Sequence, residues 1–126
     1  MSRPKSPTLT DAELRIMKVL WEKGACTVQQ VLDGLTTKPA LAYNSVLTTI
    51  RILEKKGYVR HIKDGRAHVY MAMMGRHEAS RFEIRHLVNR FFRNSHEALL
   101  MNILEDESIT AEELARVRDL LERSRS

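Results

Sequence analysis

Asn44, Thr48, Arg51 and Lys55 follow one another at spacings of four, three and four residues. At helical pitch, about 100° per residue, they gather in a wedge of roughly 60°. Tyr43, Val46, Leu47, Ile50 and Leu53 fall on the other side. The wedge holds no acid; Glu54 stands only at its margin, beside the apolar side. An amide, a hydroxyl and two cations on one helix face are groups that read and grip a polyanionic duplex. Arg can take two acceptors of guanine, Asn can pair with adenine, and the methyl of Thr48 or Ile52 can touch a thymine methyl. Lys55, near the helix end, suits a phosphate, which positions without specifying. Ser45, Thr49 and Ile52 flank the wedge, and Tyr43 suits packing or a phosphate hydrogen bond.

The neighbouring segments must hold this helix in place. Residues 1–9, with Pro4 and Pro7, read as a loose arm; its Arg3 and Lys5 are expected to belong to a frayed terminus rather than to a contact. Thr10-Asp11-Ala12-Glu13 is a capping box and opens an amphipathic helix with Leu14, Met17, Val19, Leu20 and Trp21, stopped at Gly24. Thr27-Val28-Gln29-Gln30 is a second capping box, opening a short helix through Leu35; its N–H groups near Thr27 suit a phosphate. Thr36 to Leu41 is a connector, and the wedge helix runs from about Ala42 to Lys56, ended by Gly57. The period then changes to two. Tyr58–Lys63 and Ala67–Met73 read as strands around Lys63-Asp64-Gly65-Arg66, with Ala25-Cys26 as a short extended piece beside them. Three helices and a hairpin are the order of a winged helix-turn-helix, whose last helix enters the major groove. Lys63 and Arg66, flanking the turn, would reach phosphate or the minor groove.

Charge follows the same division. The chain of 126 residues carries a net charge of +5. Residues 1–75 hold 12 Lys/Arg against 6 Asp/Glu, and residues 76–126 hold 9 Arg against 10 Asp/Glu. A polyanion partner is therefore expected for the front part only. The single cysteine, Cys26, excludes an internal disulfide and a multi-cysteine metal site, and fits a reducing cytoplasm. The opening MSRPKSPTLT lacks a signal peptide's apolar core, and no run is long enough for membrane insertion. The expectation is a cytoplasmic, mainly α protein with a small β-hairpin: a winged helix-turn-helix over 1–75 and a helical dimerisation region over 76–126.

The rear region reads as three helices: Arg76–Arg93, Ser95–Glu105, and one opened by the capping box Thr110-Ala111-Glu112-Glu113. Fifty residues with several apolar faces can hardly enclose a core alone. Two copies packed together could. The interface or shared-core candidates are Phe82, Leu87, Val88, Phe91 and Phe92, then Leu99, Leu100, Ile103 and Leu104, then Val117 and Leu121. A symmetric pair would read two half-sites about 34 Å apart, or a multiple of that, on palindromic double-stranded DNA.

The segment LAYNSVLTTIRILEKKGYVRHIKDGRAHVYM resembles the recognition helix and wing of the penicillinase-repressor (BlaI/MecI/CopY) family. LTDAELRIMKVLWEKGACTVQQVLDGL is similar to its first two helices, and FFRNSHEALLMNILEDESITAEELARVRDLLE to its C-terminal dimerisation region. Leu41 stands where many relatives carry Trp, Asn44 where they carry a basic residue, and Ile52 where they carry Arg, with Arg51 one place earlier. The resemblance implies a homodimeric repressor of an inverted-repeat operator. It also implies release by cleavage near Asn102-Ile103, signalled by a membrane sensor protease; relatives commonly have an aromatic after the Asn. The copper-responsive branch uses C-terminal cysteines, and here none follows Cys26.

Other classes find less support. His77-Glu78 and His96-Glu97 begin like H-E-x-x-H, but the second His is missing in both, Cys26 has no evident base partner, and no glycine loop for phosphate is present. No enzyme activity, cofactor or metal is expected. Glu83 and His86 share a helix face, and His61 and His68 are expected to face each other across the hairpin, but two ligands do not make a metal site. The main rival is a winged-helix regulator sensing a small molecule in a pocket lined by Phe82, Phe91 and Phe92. A non-specific architectural DNA binder is the third class.

Overall fold

The computed structural model describes residues 8–35 and 41–125. Most of the expected N-terminal arm, with Arg3 and Lys5, and most of the Thr36–Leu41 connector, with Pro39, lie outside the described residues. The element order is α1 (Asp11–Lys23), α2 (Val28–Gly34), α3 (Tyr43–Lys56), β1 (Val59–Asp64), β2 (Ala67–Ala72), α4 (Arg76–Phe91), α5 (His96–Leu104) and α6 (Ala111–Arg125). The chain is thus mainly helical with one antiparallel hairpin. It divides into two compact units, residues 1–86 and 87–126. The division falls inside α4, whose Ala79 and Phe82 pack on the first unit's core.

Local chemistry starts and stops the helices where the residue types require it. Both Thr10 and Thr27 accept an N–H three residues on, while the Glu13 and Gln30 side chains bond back to the cap N–H. Thr110 and Glu113 repeat the exchange before α6. Gly57 ends α3 in the left-handed region at φ 87°, where a side chain would be strained. The hairpin turn is one residue later than the Asp64-Gly65 pair suggests. Asp64 pairs with Ala67, so the central residues are Gly65, at φ 63°, and Arg66. A glycine at the first central position is what a type II′ turn needs, and Arg66 sits in the turn itself.

The core of the first unit is built from one stripe of each element. Ile16, Met17 and Leu20 of α1 meet Val28 and Val31 of α2 and Val46, Ile50 and Leu53 of α3. Tyr58, Val59 and Tyr70 bring the hairpin onto them. Cys26 and Tyr70 exchange both backbone hydrogen bonds, at 2.9 and 2.7 Å, so the short extended piece before α2 adds a third edge to the hairpin. The thiol of Cys26 is buried, which raises its pKa against the opposing charge of Lys23.

Two polar groups are buried with the core. Glu13 accepts from the Thr10 N–H and also from Lys56 Nζ at 2.8 Å, tying α1 to the end of α3. Tyr58 is fully buried, and its hydroxyl has no hydrogen-bond partner among the described residues. Burial, with the charges of Glu83 and Glu13 adding to it, pushes its pKa up to about 12. An unfolded Tyr ionises near 10. Between those values the unfolded chain loses a proton the folded chain keeps, so stability falls as pH rises, by about 1.4 kcal/mol per pH unit from this group. Tyr58→Phe is expected to remove that part of the alkaline slope and to raise stability at pH 7 by about 1 kcal/mol. Urea titrations at pH 7 and 11 check both; a destabilised variant at pH 7 would show the hydroxyl to be satisfied.

The second unit is covered far less within one chain. Among its described residues only Val88 is buried, at 1% exposure. α5 is a nine-residue helix with no buried residue. Leu87, Phe91, Leu100, Ile103, Leu104, Val117 and Leu121 are all exposed, and Phe92 and Leu99 are half-buried. Two of the interface or shared-core candidates are packed within the single chain. Phe82 packs on the core of the first unit, and Val88 is already covered in the single chain. Arg93 and Asn94, between α4 and α5, both have positive φ, which turns the chain sharply enough for Ser95 to cap α5.

Candidate nucleic-acid interface

Helix α3 presents its wedge to solvent. Asn44, Thr48, Arg51 and Lys55 are all exposed, while Val46, Ile50 and Leu53 are fully buried on the opposite side. Ser45 and Ile52 are exposed flanks. Thr49 is half-buried, and its hydroxyl donates to the Ser45 carbonyl at 2.8 Å, so its hydrogen is already used. Tyr43 departs from the helical-face expectation. It is 44% exposed, because the first residue of the helix projects beyond the core. Among the described residues no side chain caps the start of α3 at Ala42, and Lys55 and Lys56 occupy its last turn.

A groove of about 430 Å³ joins three elements. Its walls include Thr27 and Gln29 from the start of α2, Tyr43 and Arg51 from α3, and Arg66, His68 and Tyr70 from the hairpin. Four of the residues singled out by type thus converge: Thr27, Tyr43, Arg51 and Arg66. Asn44, Ser45, Thr48 and Lys55 lie outside the groove on the exposed helix face, and Lys63 is exposed on β1, paired with His68. Thr27 contributes differently from expectation. Its hydroxyl accepts from the Gln30 N–H at 3.1 Å and its own N–H donates to the Gln30 side chain at 2.8 Å. The capping box therefore occupies its hydrogen bonds, and it offers the groove a wall.

Gln29, His68 and Tyr70 are the groove residues that reading by type passed over. The signal for the last two was the period of two: His68 and Tyr70, two residues apart on β2, share a strand face. His61 stands opposite Tyr70 and stacks on His68, with ring centroids 4.4 Å apart. Its Nδ1 lies 2.6 Å from a Glu54 oxygen. Burial raises the Tyr70 pKa, the nearby Glu54 charge adds to this, and Arg51 opposes it by its charge and by a side-chain hydrogen bond. The face therefore has cations at its centre and edges, and its one carboxylate is held back by an imidazole. Such a surface can bind phosphate and present donors to base edges.

Known proteins share this organisation. A family model described as penicillinase repressor matches residues 9–123. The penicillinase repressor of Bacillus licheniformis is 28% identical over 118 residues, covering 94% of this chain and 92% of that protein. The transcriptional regulator BlaI of Mycobacterium tuberculosis is 40% identical over 75 residues, 59% of this chain and 54% of that protein. Among solved structures, the DNA-binding domain of the repressor BlaI superimposes with a TM-score of 0.51 at 31% identity, covering 59% of this chain and 90% of that domain. With nearly its whole length accounted for by one family pattern, and with the fold of that family's winged domain, the chain belongs to the penicillinase repressor family.

Proposed function

We propose that this chain is a sequence-specific DNA-binding transcriptional repressor that grips an inverted-repeat operator as a homodimer. The observation that carries the reading is the acid-free exposed wedge of α3, seated beside a basic hairpin tip. The likeness to the DNA-binding domain of BlaI supports it. In this reading Arg51 and Asn44 take base edges, while Lys55, Lys63, Arg66 and the uncapped start of α3 take phosphates. The second unit serves dimerisation, which its nearly unburied helices support. The protein acts in the cytoplasm, on DNA, and performs no catalysis.

A competition assay tests this. An inverted repeat selected from a random duplex pool should stay bound under excess random DNA. Its log affinity should fall linearly with log salt, by about 0.9 per phosphate contacted. Equal displacement by random duplex would make the chain a non-specific binder.

Release is proposed to occur by cleavage in α5, under the signal of a membrane sensor protease. Asn102 and Ile103 are exposed, and with no residue of α5 buried the helix can open locally at little cost. A cut there would separate α6 from the rest of the dimerising unit. Incubation of the intact dimer with its cognate sensor protease should yield a break between residues 95 and 110; an uncut chain would refute this route.

A further inference from the structure

The carboxylate of Glu54 is the sole acid on α3, and it stands three residues after Arg51. Residues three apart on a helix are surface neighbours, so an unoccupied Glu54 would draw the Arg51 guanidinium onto itself. It would also repel phosphate. In the structure Glu54 is engaged elsewhere: a carboxylate oxygen meets Nδ1 of His61, on β1, at 2.6 Å. Both side chains are only about one-third exposed. His61 is itself held by its stack on His68 at 4.4 Å and by the tilted ring of Tyr70 at 5.3 Å. Arg51 instead borders the groove with Tyr43, Arg66 and Tyr70.

We propose that His61 is a positioning residue for operator recognition: by occupying Glu54 it keeps Arg51 off that carboxylate and beside Tyr70 at the groove, and it locks the wing to the recognition helix. The inference rests on the reading that α3 faces an operator. The groups in contact with His61 are Glu54 from α3 and His68 and Tyr70 from β2.

A double-mutant cycle on the full chain tests this, with binding to the selected inverted repeat and to a scrambled duplex read by fluorescence anisotropy. His61→Ala should weaken operator binding about tenfold, within the range expected for losing one bidentate base contact, and narrow the gap between operator and scrambled DNA. Adding Glu54→Gln to that variant should restore operator binding to within about twofold of wild type, because no carboxylate then competes for Arg51. Thermal melts of each variant separate unfolding from mispositioning. If His61→Ala binds as wild type, or if the double variant stays as weak as the single one, the positioning role is overturned. A wild type with no preference for the repeat would instead overturn the operator reading beneath it.

Discussion

The double variant Val117→Asp with Leu121→Asp is expected to be monomeric at micromolar concentration and to lose at least about a hundredfold in operator affinity. Val117 and Leu121 are four residues apart on α6 and 52% and 57% exposed in the single chain. Leu114, three residues before Val117, continues the same stripe and is exposed as well. Each such side chain gains about 1.5–3 kcal/mol when fully buried. A carboxylate forced into the same apolar contact forfeits that gain and must also shed its water without a partner. Losing the dimer turns one event spanning two half-sites into two separate ones. That is where the large affinity loss comes from, since neither wing nor recognition helix is touched. Sedimentation equilibrium reads the association state, and anisotropy on full and half operators reads the binding. The expected pattern is a variant that binds both DNAs equally weakly. A variant that sedimented as a dimer and bound as wild type would remove α6 from the interface.

The second large effect separates two cations on one helix. If Arg51 reads a base, Arg51→Ala should cost about 1–3 kcal/mol and relax specificity at one symmetric pair of operator positions. Lys55→Ala should weaken all duplexes alike and reduce the salt slope by about one. The geometry favours this assignment. Arg51 borders the groove beside Tyr70, where a side-chain hydrogen bond limits its freedom, whereas Lys55 sits in the exposed last turn of α3. An ordered guanidinium can keep a two-pronged geometry; a free lysine acts as a point charge. Measuring both variants against a panel of single-base operator changes decides the matter. Uniform weakening by Arg51→Ala together with a position-specific effect of Lys55→Ala would reverse the two roles.

Much of the architecture was legible before any coordinates. The three threonine-led capping boxes, Gly57 and the change from helical to two-residue period mark elements through bonds between residues three or four apart, so their signals are contiguous in the chain. The α3 wedge was legible for the same reason: a regular helix turns spacing directly into direction. The apolar surplus of the rear helices was legible as well, because its residues recur at helical spacing and most of them are exposed in the single chain.

Tertiary structure decided what depends on distant partners. Glu13 reads as a cap, yet it also meets Lys56 across 43 residues of chain. Tyr43 belongs to the apolar side by pitch but projects into a groove that exists only once α2 and the hairpin arrive. Phe82 reads as an interface or shared-core residue, and within the single chain it packs on the first unit's core, which extends into α4. The tie between Glu54 and His61 joins α3 to β1, and no periodicity within either element specifies it. Sequence by itself set the elements and the chemistry of the exposed helix face, because short-range hydrogen bonds and periodicity act within a few residues. Only the fold determined which of those groups are occupied and which are left free, because that depends on what packing brings beside them.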